Sequence, residues 1–277
     1  MIISKKSSGN RAKPIIFDSP HSGQDFPEDF KSPLDRDILS QCEDNYVDRL
    51  IEDLHQDGAD LLIAEFPRLY IDVNRNVTDL RALDFKHGHD KLKISNSKTA
   101  RHGRGLIWQW VIENDEDKAA IPIYYPDEKP TQEEVLNRIE DYWKPYHDLL
   151  AELILEKKQI SKTVYHFNVH SCPRFQIVSK KENADITLGN VFNKSADYKL
   201  MLKVKKIFED EGFTVSLNKP FSGGYIVKRH GKPKKGVQSI QIEIAKDLYM
   251  DEDSGEYLPE KALRVKKTLS KLTKMIC

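Results

Sequence analysis

Val164-Tyr165-His166-Phe167-Asn168-Val169-His170-Ser171 reads as a β-strand that ends on an imidazole. The period of two puts Tyr165, Phe167 and Val169 on one side, and Val164, His166, Asn168 and His170 on the other. One face is therefore apolar and its opposite polar and histidine-bearing. Ile15-Ile16-Phe17-Asp18-Ser19-Pro20-His21-Ser22 repeats the arrangement, with Pro20 ending the strand and Ser22-Gly23 letting the chain bend away. In open α/β sheets ligands collect outside the carboxyl ends of strands, and neutral imidazole is the commonest protein ligand for zinc. Two strands that each deliver a histidine at that edge suggest a metal site. Taken singly, either histidine has a plain alternative, a satisfied core histidine for His170 and a turn cap for His21. A third ligand is needed to choose.

Further strand-like segments lie at Leu61 to Phe66, Tyr70 to Val73 and Ser239 to Ile244, with helical patterns between them. That alternation implies a sheet with helices on both faces. The strongest helix begins with the capping box Thr131-Gln132-Glu133-Glu134 and carries Val135, Ile139, Tyr142, Leu149, Leu150, Leu153 and Ile154 along one stripe. Pro145 should kink it. A second helix runs from about Ala196 to a stop at Gly212, and a third follows Pro259. Residues 76–130 are polar, hold His87, His89 and His102, and show no sustained period. They read as long loops or an insertion over one end of the sheet. With no repeat and no Gly/Ser or Pro-rich linker, residues 1–277 are expected to form one domain.

The 277 residues are 39% hydrophobic and 32% charged, the balance of a globular chain rather than a disordered one. Lys+Arg and Asp+Glu both number 44, so no broad field attracts nucleic acid or an anionic membrane. No apolar run has the length of a transmembrane helix and the N-terminus lacks a signal-peptide h-region, which makes the cytoplasm the expected location. Cys42, Cys172 and Cys277 are too few and too scattered for a disulfide framework or a metal knuckle. Cys172 follows His170 by two residues, but nothing else in the sequence supports it as a nucleophile. Lys232-Pro233-Lys234-Lys235 reads as a solvated turn.

For the third ligand, Glu43-Asp44-Asn45-Tyr46-Val47-Asp48-Arg49-Leu50 leads a helical pattern with its acids at the front, and Asp44 is the first choice. Acids at a helix N-terminus are also common for dipole reasons alone. Two imidazoles and one carboxylate leave an open position for water, the arrangement of catalytic rather than structural zinc. Ser239-Ile240-Gln241-Ile242-Glu243-Ile244 alternates strictly, placing Gln241 and Glu243 opposite three isoleucines. Glu243 then sits at an exposed sheet edge or faces a cleft where desolvation raises its pKa toward that of a general base. Gly223-Gly224-Tyr225 permits a tight turn or a close backbone approach to a ligand. Arg75 and Arg229 each offer a planar fork for a carboxylate, or a structural ion pair.

Taken in order, Ser19-Pro20-His21-Ser22-Gly23, Asp44 with Val47-Asp48-Arg49-Leu50, Tyr70-Ile71-Asp72-Val73-Asn74-Arg75, His170-Ser171, Asp185-Ile186-Thr187-Leu188-Gly189, Gly223-Gly224-Tyr225-Ile226 and Gln241-Ile242-Glu243-Ile244 with Tyr249-Met250 resemble the N-formylglutamate amidohydrolase family. The agreement runs from about residue 14 to residue 252. The resemblance implies a three-layer αβα sandwich with a mixed central sheet, phosphorylase/hydrolase-like and similar to the zinc carboxypeptidases. It also implies metal-dependent hydrolysis of an N-acyl amino acid, N-formyl-L-glutamate first, with Zn2+ or another divalent metal. Carried over position by position, it implies His21, Asp44 and His170 as metal ligands and Glu243 as the acid/base. Arg75 and Arg229, with Gly224 and Tyr225, become candidates for holding a small N-acyl amino acid. The chain departs from the family's usual pattern at Asn168 and Asn190, where an acid is often found, and at Tyr46, where a histidine is. A peptidase or deacylase acting on another amide and a non-catalytic carboxylate- or protein-binding relative are the alternatives.

Overall fold

Short runs rich in Ile, Leu, Val and Phe build the central sheet, and the computed structural model describes it within residues 2–9, 12–87, 90–112, 120–177 and 184–277. Its strands are β1 (Ile3–Lys6), β2 (Ile15–Ser19), β3 (Asp60–Ala64), β6 (Val164–Cys172), β7 (Ile186–Gly189), β8 (Val215–Leu217) and β9 (Val237–Ala245), with β4 (Trp110–Ile112) and β5 (Ala120–Pro122) forming a separate hairpin. Among the described residues the sheet has seven strands in the order β1-β3-β2-β6-β9-β7-β8. β3, β2, β6 and β9 run parallel, while β1 and β7 join antiparallel to β3 and β9. The sheet is mixed, as expected.

The helices are α1 (Arg36–Ser40), α2 (Val47–Ile51), α3 (Lys98–Arg101), α4 (Gln132–Arg138), α5 (Lys144–Ile160), α6 (Arg174–Ile177), α7 (Tyr198–Asp210), α8 (Tyr225–His230) and α9 (Pro259–Met275). Two cores flank the sheet. Phe167, Val169, Ile240, Ile242 and Ile244 meet residues of α2, α7 and α9 on one face, and Ile16, Leu62 and Val164 meet α4 and α5 on the other. This is a three-layer αβα sandwich. Phe17 and Phe167, register partners across β2 and β6, stack with centroids 5.0 Å apart. Each such fully buried ring stabilises the fold by about 1.5–3 kcal/mol.

Thr131 closes its capping box with Glu134 as the sequence predicts, its Oγ1 accepting from Glu134 N at 3.2 Å and its own N donating to Glu134 Oε2 at 2.6 Å. The kink at Pro145 takes the form of a π-helical turn over Ile139–Trp143, immediately ahead of α5. Pro145 has no N–H for the carbonyl one turn earlier, and a wider turn gives its ring room.

The strand expected at Tyr70 to Val73 does not form. These residues are buried in irregular turns instead, with Tyr70 N donating to Pro67 O, Asp72 N to Leu106 O and Arg75 N to Asp72 O. The apolar alternation that suggests a strand is here a loop buried on all sides, its backbone satisfied by turns and by residues 76–130. That segment holds two short 3-10 turns, α3 and the β4–β5 hairpin among its described residues; His89 lies outside them. No helix among the described residues is long and apolar enough to cross a membrane.

Candidate metal centre

β2 and β6 are neighbours and parallel, so His21 and His170 emerge at the same edge of the sheet. Their Nδ1 atoms lie 3.1 Å apart, and Asp44 Oδ2 stands 2.9 Å from His170 Nδ1 and 3.4 Å from His21 Nδ1. All three side chains are buried, with ligand atoms within 4.8 Å of one another. A backbone bond from Asp44 N to His21 O, 2.8 Å, locks the two ligand-bearing segments together. Asp44 sits in the turn before α2, and buried Lys246 holds that turn by donating to Glu43 O at 2.7 Å. Gly23 lets the chain leave the site, since a Cβ there would overlap the Glu65 carbonyl.

The outer nitrogens of both imidazoles are held as well. His21 Nε2 donates to Asp72 Oδ1 at 2.8 Å, and Asp72 Oδ2 accepts from Trp108 Nε1 at 3.0 Å. His170 Nε2 donates to Asn168 Oδ1 at 2.8 Å. The orientation of that amide is set by Asp18, whose two oxygens both accept from Asn168 Nδ2 at 3.0 Å; a carboxylate cannot donate, so the oxygen of Asn168 must face His170. Asp18 also accepts from His166 Nε2 at 2.8 Å and from the Tyr146 hydroxyl at 2.6 Å. Burial alone would raise the Asp18 pKa, but His166 and these hydrogen bonds hold it below the usual carboxylate range.

With protons fixed on both Nε2 atoms, the Nδ1 lone pairs of the neutral rings and the Asp44 carboxylate converge on one point. Three acceptors facing one another require a cation. The Arg68 guanidinium supplies one, its Nη2 lying 2.7 Å from Asp44 Oδ2 and against His21 Nδ1. Against burial, Arg68 and the histidines hold Asp44 well below the ordinary carboxylate range. Against burial and the Arg68 charge, Asp72 and Asp44 hold His21 above the ordinary imidazole range. Both shifts express the same demand for positive charge. Two imidazoles and a carboxylate, each imidazole backed by an outer hydrogen bond, fit zinc with an open position, and fit several other divalent metals.

Glu243 is the register partner of His170 on β9 and shares its polar face. The exposed-edge reading fails, because β9 lies between β6 and β7 and Glu243 is buried. Burial and the Asp44 charge push its pKa well above the ordinary value, and Gln241 Nε2 donates to its Oε1 at 2.6 Å. Gln241 in turn accepts from Gly224 N at 2.6 Å. Any side chain at Gly224 would overlap the Asn74 amide, so the backbone reaches the site only as glycine. His21, Asp44, His170, Glu243, Arg75, Gly224 and Tyr225 line one cavity of about 890 Å³, a size suited to a small organic ligand.

A model of the family described as N-formylglutamate amidohydrolase matches residues 13–250. The chain belongs to the N-formylglutamate amidohydrolase family. It is an amide hydrolase. The N-formylglutamate deformylases of Pseudomonas aeruginosa and Pseudomonas putida are 25% and 24% identical over 245 and 242 residues, covering 87% and 86% of this chain and 84% and 82% of their own. The crystal structure of N-formylglutamate amidohydrolase from Ralstonia eutropha superposes with a TM-score of 0.89 at 34% identity, over 99% of this chain and 96% of that one. An Agrobacterium tumefaciens gene product shares the fold, with a TM-score of 0.69 at 18% identity, over 99% of this chain and 94% of that one.

Within this amidohydrolase fold Arg229 is the residue the structure leaves out: it lies over Trp143 at 5.2 Å and donates to the Tyr225 hydroxyl at 3.1 Å, away from the cavity lining. As the last turn of α8, it follows Tyr225 on the surface side. Arg75 reaches the cavity but is engaged, its Nε donating to Arg104 O at 2.9 Å and its Nη1 to Asn74 O at 3.1 Å. Cys172 is buried and its thiol pKa is pushed up chiefly by burial, so it stays protonated and unreactive. Sequence reading misses Arg68, Asp72, Asn74, Arg104 and Trp108. The available signal for Asp72 and Asn74 was a charge and an amide in the otherwise apolar stretch Tyr70 to Asn74.

The Asp18 network makes a stability prediction. Replacing Asp18 by Asn leaves His166 and Tyr146 without their buried anion and should cost about 3–5 kcal/mol at neutral pH. Because the folded pKa is depressed, the stabilisation is present above the unfolded value of about 3.9 and is lost as pH falls through the folded value. Denaturant unfolding of wild type and Asp18→Asn should therefore show a gap that narrows below about pH 4; a gap independent of pH would remove the charge from the account.

Proposed function

We propose that this chain hydrolyses the amide of N-formyl-L-glutamate to formate and L-glutamate, with a divalent metal, zinc first, held by His21, Asp44 and His170. The observation that carries this reading is the convergence of those three side chains beside buried Glu243 in the cavity of an amidohydrolase-family chain. The deformylase relatives support the choice of substrate. A metal bound there supplies a Lewis acid that polarises a scissile carbonyl and makes water more acidic.

The chain's own groups do the rest. Glu243, with its raised pKa, takes a proton from the attacking water and returns it to the departing amine nitrogen as the C–N bond breaks. Asp72 and Asn168 keep the two imidazoles in one tautomer and orientation. Arg75, beside Asp72 and Asn74, is the candidate for the substrate's α-carboxylate, with Gly224 and Tyr225 forming the adjoining wall. The reading takes the whole chain as one cytoplasmic amidohydrolase domain with residues 76–130 as an insertion beside the site.

The test is formate release from N-formyl-L-glutamate by zinc-loaded protein beside a chelated sample. The expected result is release that chelation removes and added zinc restores. Release that survives chelation would overturn the metal; turnover confined to another N-acyl amino acid would overturn the substrate. Binding of a carboxylate without turnover of any amide would overturn the reaction.

A further inference from the structure

The cavity wall carries five permanent cations, Arg68, Arg75, Arg104, Lys228 and Lys246, against Asp44, Asp79 and Glu243. Most of the cations are committed. Arg68 pairs with Asp44 at 2.7 Å, Arg75 with two backbone carbonyls and, at 3.9 Å, Asp72, and Lys246 with the carbonyls of Glu43 and Gln41. Arg104 differs. Among the described residues its guanidinium has no carboxylate within 4.0 Å and no hydrogen-bonded acceptor, and its contact is the Trp108 ring, 5.7 Å from its centroid. Lys228 is exposed and can be satisfied by water, whereas Arg104 is partly buried. Burial, with Arg68 and Arg75 nearby, disfavours its charge. A guanidinium kept charged in such company needs an anion, and its planar fork suits a carboxylate.

We propose that Arg104 is the specificity residue that receives the side-chain carboxylate of an N-acyl acidic amino acid. The inference rests on the proposed function and narrows its substrate class. The α-carboxylate of such a substrate is two atoms from the scissile nitrogen and falls to Arg75, which is tied to the segment whose Asp72 positions His21. In a glutamate the side-chain carboxylate lies two bonds further from that nitrogen and meets the one cavity arginine among the described residues left without an anion. A dianionic ligand also balances the excess positive charge of the wall, which a neutral side chain cannot do.

The test compares wild type, Arg104→Gln and Arg104→Lys on N-formyl-L-glutamate and N-formyl-L-glutamine, with calorimetric binding of L-glutamate and L-glutamine alongside. Arg104→Gln should lower the glutamate-to-glutamine ratio of kcat/KM by about 10²-fold, mainly through KM for the acidic substrate. Arg104→Lys should recover part of it. An equal loss on both substrates, or an unchanged ratio, overturns the assignment, because a structural role moves both together. Should Arg104→Gln not fold, the partial loss in Arg104→Lys decides. If wild type turns over neither amide, the proposed reaction fails and binding judges Arg104 alone. A preference for L-glutamate that Arg104→Gln abolishes supports it; no such preference in wild type overturns it.

Discussion

Glu243→Gln should lower kcat on N-formyl-L-glutamate by about 10²–10⁴-fold, the usual contribution of a general acid–base group, with metal content unchanged. The side chain is not among the three converging ligands, so nothing in the site's affinity for a cation depends on it directly. Glutamine has the same shape and can still accept from Gln241 Nε2, which preserves the link through Gln241 to Gly224. What is lost is the capacity to take up and return a proton. The buried carboxyl has a raised pKa because burial and Asp44 disfavour its charge, so its neutral replacement should fold at least as well as wild type. Steady-state kinetics, metal analysis and a denaturation curve on the same preparation check all three. Retained turnover would remove Glu243 from the chemistry; loss of metal with turnover would make it part of the binding site instead.

The central strands were legible because the period of two is strict where a strand separates an apolar core from a polar network. β6 and β9 obey it, with Phe167, Val169, Ile240, Ile242 and Ile244 in one core and His166, Asn168, His170, Gln241 and Glu243 opposite. Their ends deliver the histidine and the glutamate that sequence reading singled out. The edge strands were not legible, nor was the short β7 between β9 and β8. β1 is Ile-Ser-Lys-Lys, mostly outside the core, its lysines guarding an open sheet edge, and β8 is three half-buried residues. Such strands are decided by their neighbours, not by their own pattern.

The site divides the same way. Ligands at strand ends can be read from strands, and so can Asn168, which orients His170 from β6, whereas the groups that orient His21 come from Tyr70 to Arg75 and from Trp108, segments with no period of their own. Asp72 carries no local signal for a bond to His21, 51 residues away. The arginines show the limit most plainly. A planar fork is visible in any sequence, but whether it is free depends on which carbonyls surround it, and here Arg75 is engaged and Arg229 lies outside the cavity.

Asp72→Ala should lower metal affinity by about 10–100-fold and destabilise the fold by about 3–5 kcal/mol. Asp72 is fully buried and its oxygens accept from His21 Nε2, Asn74 N and Trp108 Nε1. Alanine leaves those donors without an acceptor, and Arg75 without its nearest carboxylate. The two losses have separate causes. Unpaired buried donors weaken the protein with or without metal, whereas the loss of affinity arises at His21, where nothing then holds the proton on Nε2. A neutral imidazole free to carry it on Nδ1 presents a hydrogen, not a lone pair, to the point where Asp44 and His170 converge. Asp72→Asn keeps one acceptor oxygen, and with it part of that tautomer preference, so its affinity should fall between alanine and wild type. Competition with a chelator of known affinity, run beside denaturant unfolding of the metal-free proteins, separates the two effects. An alanine variant that loses stability but binds metal as tightly as wild type would confine Asp72 to the fold and leave the orientation of His21 to its neighbours.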